Sequence, residues 1–336
     1  QTPILSGLVG SEMCIRDRLL YPLSIIFSLV GRISLFFVKP WKASVPVICI
    51  GNLVVGGAGK TPTAIALAIV LKSKGWNPHF LTRGYGGTTT DPLLVNIQKH
   101  SSDIVGDESL LLAEICPTWV SSNRTKSAKL AIEKGANILI LDDGFQNAGI
   151  QKDLSILVID GEVGFGNKYL LPAGPLRENI AKGLTRSNAA LILGNDTKMI
   201  ADHILDFKGR KFPILFGSIE PKNVQPQFFE KKFVAFSGIG RPKKFFDTLD
   251  KIGLDIIGTF AFDDHHPYSS EDLVKLSTYA NRHGAELITT SKDRRRINTN
   301  INVAIHELPI YIKWKKTGEL DKLFDYLEGN SFGTKA

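Results

Sequence analysis

A β-branched apolar run, Val45-Pro46-Val47-Ile48-Cys49-Ile50, leads into Gly56-Gly57-Ala58-Gly59-Lys60-Thr61, and a helical pattern from Thr63 to Lys74 leads out. Strand, glycine-rich turn, Lys-Thr and helix in that order is the P-loop arrangement, which holds a nucleotide triphosphate. Each part has a physical job. Glycines, lacking Cβ atoms, let the backbone N–H groups curl around phosphate oxygens. Lys60 reaches the β- and γ-phosphates, the Thr61 hydroxyl ligates Mg²⁺, and the helix turns its positive end to the anion. Gly56, Gly57, Ala58, Gly59, Lys60 and Thr61 are therefore the expected nucleotide contacts. In the full G-x-x-x-x-G-K-[ST] pattern the first glycine would fall on Val54, so the loop matches from its middle onward.

The alternation continues beyond the loop. His79–Thr82, Ile138–Leu141, Ser155–Ile159 and Ala190–Leu193 read as strands, and Ser109–Ile115 and Thr125–Lys134 as helices. Strands alternating with helices imply a parallel sheet covered on both faces. From about Phe212 the pattern restarts, with strands at Phe233–Phe236, Ile256–Phe260 and Glu286–Thr290. Helices are expected at Pro242–Ile252, at Ser270–His283 behind a Ser269 or Ser270 cap, and at Glu319–Leu327. The fold class expected is α/β: a P-loop NTPase-type parallel sheet with helices on both faces over 43–215, and a smaller C-terminal α/β domain over 216–336. Pro221–Pro226 reads as the linker. Residues 1–18 show no periodicity and read as a non-native leader, outside the fold.

A net charge of +8 suits an anionic partner. Nucleic acid is the weakest such class, because the aromatic residues do not alternate with Lys or Arg as a stacking platform would. Cys14, Cys49 and Cys116 form no C-x-x-C pair, so neither a zinc site nor a disulfide framework is suggested, and a reducing cytosolic setting fits. Leu19–Val38 has the length of a transmembrane helix, but Arg32 sits inside it and Ser24, Ser28 and Arg32 recur at i, i+4, i+8 as one polar stripe. With Lys39, Trp41 and Lys42 behind it, residues 19–42 read as an amphipathic anchor lying in the membrane interface. A helix packed on the protein's own core is the alternative.

Asp142-Asp143 closes the apolar run Ile138–Leu141. Carboxylates at the C-terminal end of a parallel strand beside a P-loop stand where a further Mg²⁺-binding group is needed, so Thr61, Asp142 and Asp143 form the expected metal set. Asp-Asp-Gly is equally a good solvated turn. Gln146, in the same loop, could orient water or phosphate. Three features stay open on spacing alone. Asp107 is a functional carboxylate or the cap of a helix beginning near Ser109. Asp264-His265-His266 is a metal loop, polar surface, or the seat of a general base at His265. Arg177 neutralises a transferring phosphoryl group or pairs with Glu178.

As a set, these motifs narrow the choice. Gly51-Asn52-Leu53 ahead of the P-loop, Arg83-Gly84-Tyr85-Gly86-Gly87, Gly106-Asp107-Glu108 and Asp142-Asp143-Gly144-Phe145-Gln146 are followed by Ala173-Gly174-Pro175-Leu176-Arg177-Glu178, Gly238-Ile239-Gly240, Asp264-His265 and Thr290-Ser291-Lys292-Asp293. In order and spread, over roughly residues 19–327, they resemble the tetraacyldisaccharide 4'-kinases of lipid A biosynthesis. The resemblance implies a kinase, peripheral or monotopic, at the cytoplasmic face of a Gram-negative inner membrane. It would move the γ-phosphate of ATP, with Mg²⁺, to the 4'-hydroxyl of a tetraacylated glucosamine disaccharide 1-phosphate. No nucleic acid and no obligatory protein partner are implied.

The same resemblance implies an Asp–His dyad, which falls on Asp107 and His265, with Lys60 and Arg177 neutralising charge. Substrate contacts fall on Arg83, Tyr85, Gln146, Asn147 and Glu178. With Asp107 in the first domain and His265 in the second, domain closure would assemble the site. Two positions depart from the family pattern. Asn147 stands where the family usually has His, which bears on how that position grips an anionic substrate, and Arg241 stands where Asn is common. A P-loop GTPase or ATPase acting on a protein partner would share the loop and Asp142-Asp143. It predicts a guanine-reading Asn-Lys-x-Asp sequence, to which Thr290-Ser291-Lys292-Asp293 is the nearest approach. A non-enzymatic, nucleotide-gated membrane module would need no Asp107–His265 pair.

Overall fold

The computed structural model describes residues 20–24, 38–222, 224–297, 304–316 and 318–332. The leader 1–18 and all of the expected anchor Leu19–Val38 except 20–24 and Val38 lie outside the described residues. Residues 20–24 form a helical turn. The buried Ser24 hydroxyl donates to the Leu170 carbonyl at 3.0 Å and accepts from the Ala173 N–H at 3.3 Å. The Tyr21 ring stands edge-on to Tyr169. The first position of the expected polar stripe thus faces the protein. Trp41 is tied down as well: its N–H donates to Gly149 and its carbonyl accepts from Gln151, each at 2.9 Å, and Lys129 lies over its ring. Among the described residues no helix is long and apolar enough to cross a membrane.

Two compact units interleave along the sequence. One comprises 1–82, 124–219 and 312–336, the other 83–123 and 220–311. The division departs from a single cut after residue 215: residues 83–123 group with the C-terminal part, and the last segment returns to the first unit.

The first unit is built on a parallel sheet. Strand Val47–Gly51 is central, paired in parallel with Ile138–Asp142 on one side and Leu154–Asp160 on the other. Pro78–Thr82 extends the first side, and Ala189–Leu193 and Ile214–Pro221 the second, again in parallel. The first five of these strands are buried along their whole length, as near-continuous apolar runs must be in a sheet covered on both faces. Ile50 pairs with Asp142 and with Ile156, so the P-loop and the Asp142 turn leave the sheet at the same C-terminal edge. Open α/β sheets bind ligands outside that edge. Cys49 lies in the central strand, and burial pushes its thiol up to about 11. The P-loop helix begins at Lys60, earlier than the apolar pattern alone placed it. Helices Ile180–Arg186 and Ile200–Lys208 are absent from the pattern reading because each is short and only partly apolar.

The second unit holds a four-stranded parallel sheet in the order Asp255–Ala261, Lys232–Ser237, Glu286–Thr290, Ile305–Leu308. Alternate residues of Lys232–Ser237 serve opposite faces. Phe233 and Ala235 pack with Phe245 and Leu249 of helix Pro242–Lys251, while Val234 and Phe236 pack with Leu273 and Leu276 of helix Ser270–Arg282. That last helix starts with a capping box between Ser269 and Asp272. The short helix Ser291–Arg296 is capped by the Thr290 hydroxyl, which accepts from the Asp293 N–H at 3.1 Å. Segment 83–123 adds helix Asp107–Ala113.

Candidate active site

The P-loop turn depends on two residues in the left-handed region, Gly56 at φ 112° and Gly59 at φ 88°. A Cβ on Gly59 would also lie 2.5 Å from Leu193 Cδ1, so the position is restricted twice over. Val54, where the consensus has its first glycine, forms an antiparallel bridge with Leu176. Val55 N–H donates to Pro175 and Arg177 N–H to Leu53, both at 2.8 Å. The front half of the loop is therefore strapped in extended form by residues 175–177, and an L-residue fits there without strain. Behind it the helix Lys60–Ser73 offers its unpaired N-terminal N–H groups to an anion.

Thr61 Oγ1 donates to Asp142 Oδ2 at 3.0 Å, and both side chains are buried. Asp143 follows in a left-handed conformation, φ 49°, which sends its carboxylate to the cations. Both of its oxygens accept from Arg177 Nη1 at 3.0 Å, and Lys60 Nζ lies at 3.7 Å. Burial works to raise the Asp143 carboxyl, but the charges of Lys60 and Arg177 outweigh it and hold the group below the usual carboxylate range. Arg177 therefore serves Asp143, and Glu178 is left to Arg186 and to Gln146 Nε2. Gln146 also donates to the Asn52 carbonyl at 3.0 Å. Asn147 spends its side-chain oxygen on the Gly149 N–H at 3.0 Å.

Sequence reading passed over the basic groups around Phe145: Arg186 lies 4.9 Å and Lys152 5.8 Å from its ring centroid, and Arg124 reaches the Asp143 carbonyl. They collect at the ligand edge of the sheet, where a triphosphate needs positive charge. The Thr61 hydroxyl beside the Asp142 carboxylate is an all-oxygen, anionic donor pair, and it fits a hard divalent cation such as Mg²⁺. Among the described residues no group of three or more His, Cys, Asp and Glu gathers elsewhere as a metal cluster.

The second constellation lies wholly within the second unit. Asp107 is the first residue of its helix and only 3% exposed. The preceding Gly106 has φ 82°, and a Cβ there would stand 2.5 Å from the Tyr85 carbonyl. Asp107 Oδ1 accepts from the Glu108 N–H at 2.9 Å, while Oδ2 accepts from Arg296 Nε at 2.8 Å and from Arg296 Nη2. His265 Nδ1 lies 3.6 Å from Asp107 Oδ2. His265 itself has φ 59°, donates its N–H to the Gly238 carbonyl at 3.0 Å, and leans on the exposed Tyr85 ring. Arg83 is exposed. Arg296 also donates to the Gly238 carbonyl at 2.6 Å and to Asp293 Oδ1 at 3.0 Å. Asp293 accepts further from Ser237, Thr290, Tyr268 and the Gly238 N–H.

Burial alone would push the Asp107 carboxyl up. The neighbouring His265 and the charges of Arg296 and Lys292 overcome it and hold the group far below the usual range. The pair expected to span two domains thus belongs to one unit, so no closure is needed to form it. The other readings of these loops find no support in the side-chain partners. His266 pairs with Asp272 at 3.0 Å, so it is not available beside His265 as a ligand. Asp293, the acid of the segment nearest to a guanine-reading sequence, is committed to this internal network. Arg296 escaped the sequence reading, and Asp293 entered it only within the Thr290–Asp293 motif, with no role of its own. Their only signal is Asp293 and Arg296 at i, i+3 on one short helix, and nothing there singles out Arg296 from Arg294 and Arg295.

Comparison with known proteins gives a consistent result. The family model described as tetraacyldisaccharide-1-P 4'-kinase (LpxK) matches residues 16–327. Curated proteins named tetraacyldisaccharide 4'-kinase are similar along most of their length. The one from Rhodospirillum centenum is 42% identical over 94% of this chain and 92% of its own, and the one from Parvibaculum lavamentivorans 48% identical over 84% and 82%. Among solved structures, LpxK from Aquifex aeolicus in complex with ATP is 28% identical, with a TM-score of 0.74 over 93% of this chain and 99% of that one.

Proposed function

The chain belongs to the tetraacyldisaccharide 4'-kinase family, and from that premise we propose how its residues carry out the transfer. The protein is a phosphotransferase with an alcohol acceptor: it phosphorylates the 4'-hydroxyl of a tetraacylated glucosamine disaccharide 1-phosphate at the expense of ATP, in lipid A biosynthesis. The acceptor oxygen forms a bond to the γ-phosphorus as the bond to the β–γ bridging oxygen breaks, and ADP departs. In this step the enzyme's work is positioning and charge neutralisation. Backbone N–H groups of Gly56–Gly59 and the start of the P-loop helix hold the phosphates. Lys60 and Arg177, which share Asp143 in the described structure, neutralise the transferring group. Thr61 and Asp142 would hold Mg²⁺, which when bound offsets charge on the β- and γ-phosphates.

Asp107 takes the proton that the sugar hydroxyl loses. Its depressed basicity is compatible with that role, because in a loose transition state the hydroxyl becomes strongly acidic only late. His265 orients and shares the proton. Arg83 and Tyr85, flanking this cluster, and Gln146, Asn147 and Glu178, near the P-loop, contact the sugar phosphate. The observation that carries the reading is the convergence of Lys60 and Arg177 on Asp143 beside the Thr61–Asp142 pair, at the ligand edge of the sheet. Purified protein with ATP and Mg²⁺ should release ADP and form a phosphorylated lipid only when the disaccharide lipid is added. Lipid-independent hydrolysis would overturn the assignment.

Two variants probe the acid–base cluster. His265→Ala should leave ATP binding intact and lower kcat by roughly 10²-fold, and unchanged turnover would remove His265 from the mechanism. Arg296→Met removes a charge that opposes burial, so the Asp107 carboxyl moves up. A base works only when deprotonated, so activity should then be lost at a higher pH than in the wild type as the medium is acidified. Kcat measured from about pH 5 to 8 should show the acid limb in Arg296→Met and its retreat in Arg296→Lys. Superimposable profiles would deny Arg296 any control of Asp107.

Association with the membrane fits an acceptor that is itself a lipid. Exposed Tyr21, Leu23 and Val38 flank the apolar segment, and Lys39 and Lys42 follow it. The reading is a peripheral enzyme at the cytoplasmic face of the inner membrane, where ATP is supplied.

A further inference from the structure

The first unit contains a cavity of about 710 Å³ that none of the roles above uses. One wall is the loop 162–176, and the other is made by the two short helices Ile180–Arg186 and Ile200–Lys208. Its interior is mostly apolar: half-buried Val163, Phe165, Leu170 and Ile180 line it, over a floor of buried Leu176, Leu184, Ile200 and Ile204. Charge is confined to a few side chains, with Lys168, Lys198 and Glu162 exposed among the lining residues. Phe207, on the wall, and Met199, next to Lys198, are large apolar side chains left 50% and 62% exposed. A site for a nucleotide or a bare sugar needs polar groups converging from several sides. An apolar interior with lysines and exposed apolar side chains beside it suits an amphiphile whose tail is buried and whose anionic part stays outside.

Its wall is joined to the phosphoryl site by one loop. The Leu176 side chain lines the cavity, while its backbone is bridged to Val54 at the front of the P-loop. The next residue, Arg177, turns the other way to Asp143. Asn179 then lines the cavity again and caps its first helix. An acceptor with a sugar hydroxyl to present and acyl chains to shelter needs both features side by side.

We propose that this cavity receives one acyl chain of the lipid acceptor, with Lys168 and Lys198 facing its anionic part. The inference rests on the kinase reading and adds the place where the acceptor's tail is recognised. A volume of about 710 Å³ falls within the ~300–1,000 Å³ of sites that enclose small ligands.

The test compares two acceptors, the tetraacylated disaccharide 1-phosphate and its fully deacylated counterpart, each with ATP and Mg²⁺. Ala181→Trp narrows the cavity from an exposed wall position, and Phe207→Glu puts a charge at an exposed apolar one; both sites tolerate change without unfolding. Each variant should raise the KM for the tetraacylated acceptor roughly tenfold, the size of effect that small changes in an apolar pocket produce. The KM for the deacylated acceptor and for ATP should stay put. Unchanged acylated KM, or equal shifts for both acceptors, overturns the inference while leaving the kinase reading intact. Unchanged kinetics with a lowered melting temperature would make the cavity a matter of the unit's own packing, which also overturns the inference. Phosphorylation of neither acceptor by the wild type would sink the kinase reading and this inference with it.

Discussion

Asp107→Asn should lower kcat by about 10³-fold while leaving the KM for ATP close to that of the wild type. The change removes the proposed proton acceptor and also unbalances its surroundings. Asp107 Oδ2 receives two donors from Arg296, and Lys292 adds positive charge nearby. The Asn oxygen, placed at Oδ2, can still accept from Arg296, but the NH₂ then meets the Glu108 N–H that Oδ1 accepted, and the charge that balanced Arg296 is gone. Alanine would be worse, since it leaves the Glu108 N–H and the Arg296 donors that faced Asp107 with no acceptor there at all. Asn is therefore the variant to compare, with melting temperature and nucleotide affinity measured on the same preparation. A folded, ATP-binding Asp107→Asn enzyme that turns over at near wild-type rate would show that the proton goes elsewhere. The ATP measurement separates chemistry from folding because the proposed nucleotide contacts, residues 56–61, belong to the other unit.

Lys60→Met should be as damaging by a different route. The lysine is the only P-loop side chain expected to follow charge on the β- and γ-phosphates, so its loss removes stabilisation that grows as the phosphoryl group moves. A drop in kcat of about 10³-fold is expected, with weakened ATP binding by calorimetry. Met keeps the length of the stem, so the packing around a side chain only 10% exposed is preserved. Arg177 would still hold Asp143, and the local turn should survive. Turnover within a few-fold of wild type would mean that Arg177 and the metal suffice for neutralisation, and Lys60 would lose its assigned role.

The two constellations differed in how far they could be read in advance. The P-loop site is built from neighbours in sequence and from strand ends whose apolar runs are plain, so its frame was legible, while strand order, the partner of Arg177 and the basic groups around Phe145 were not. The Val54 departure from the glycine consensus looked like a weakness of the match. Its bridge to Leu176 shows a different local solution, in which an extended strap does what a glycine turn does elsewhere. The Asp107 cluster brings together helix starts and loop ends from distant parts of the chain: Asp107 and Arg296 are 189 residues apart. Resemblance named Asp107 and His265, but not the arginine that governs the carboxylate. Three arginines in a row look alike as letters, and helix phase together with the packing of Ser291–Arg296 buries Arg296 among them.

Short-range chemistry settled what the sequence could settle alone: a β-branched run, a turn that tolerates positive φ, and a helix whose N–H groups await an anion. These follow from backbone sterics and side-chain periodicity within about a dozen residues, and they fix an α/β nucleotide site wherever they occur. Tertiary structure decided the rest. It put segment 83–123 with the C-terminal part, turned Ser24 inward, gave Arg177 to Asp143 in place of Glu178, and set Asp107 under Arg296. The physical reason is common to all four. Where a polar group goes when it is buried depends on which partner the fold brings within about 3 Å, and a buried charge must find one. That choice is made across the chain by packing, and no local pattern encodes it.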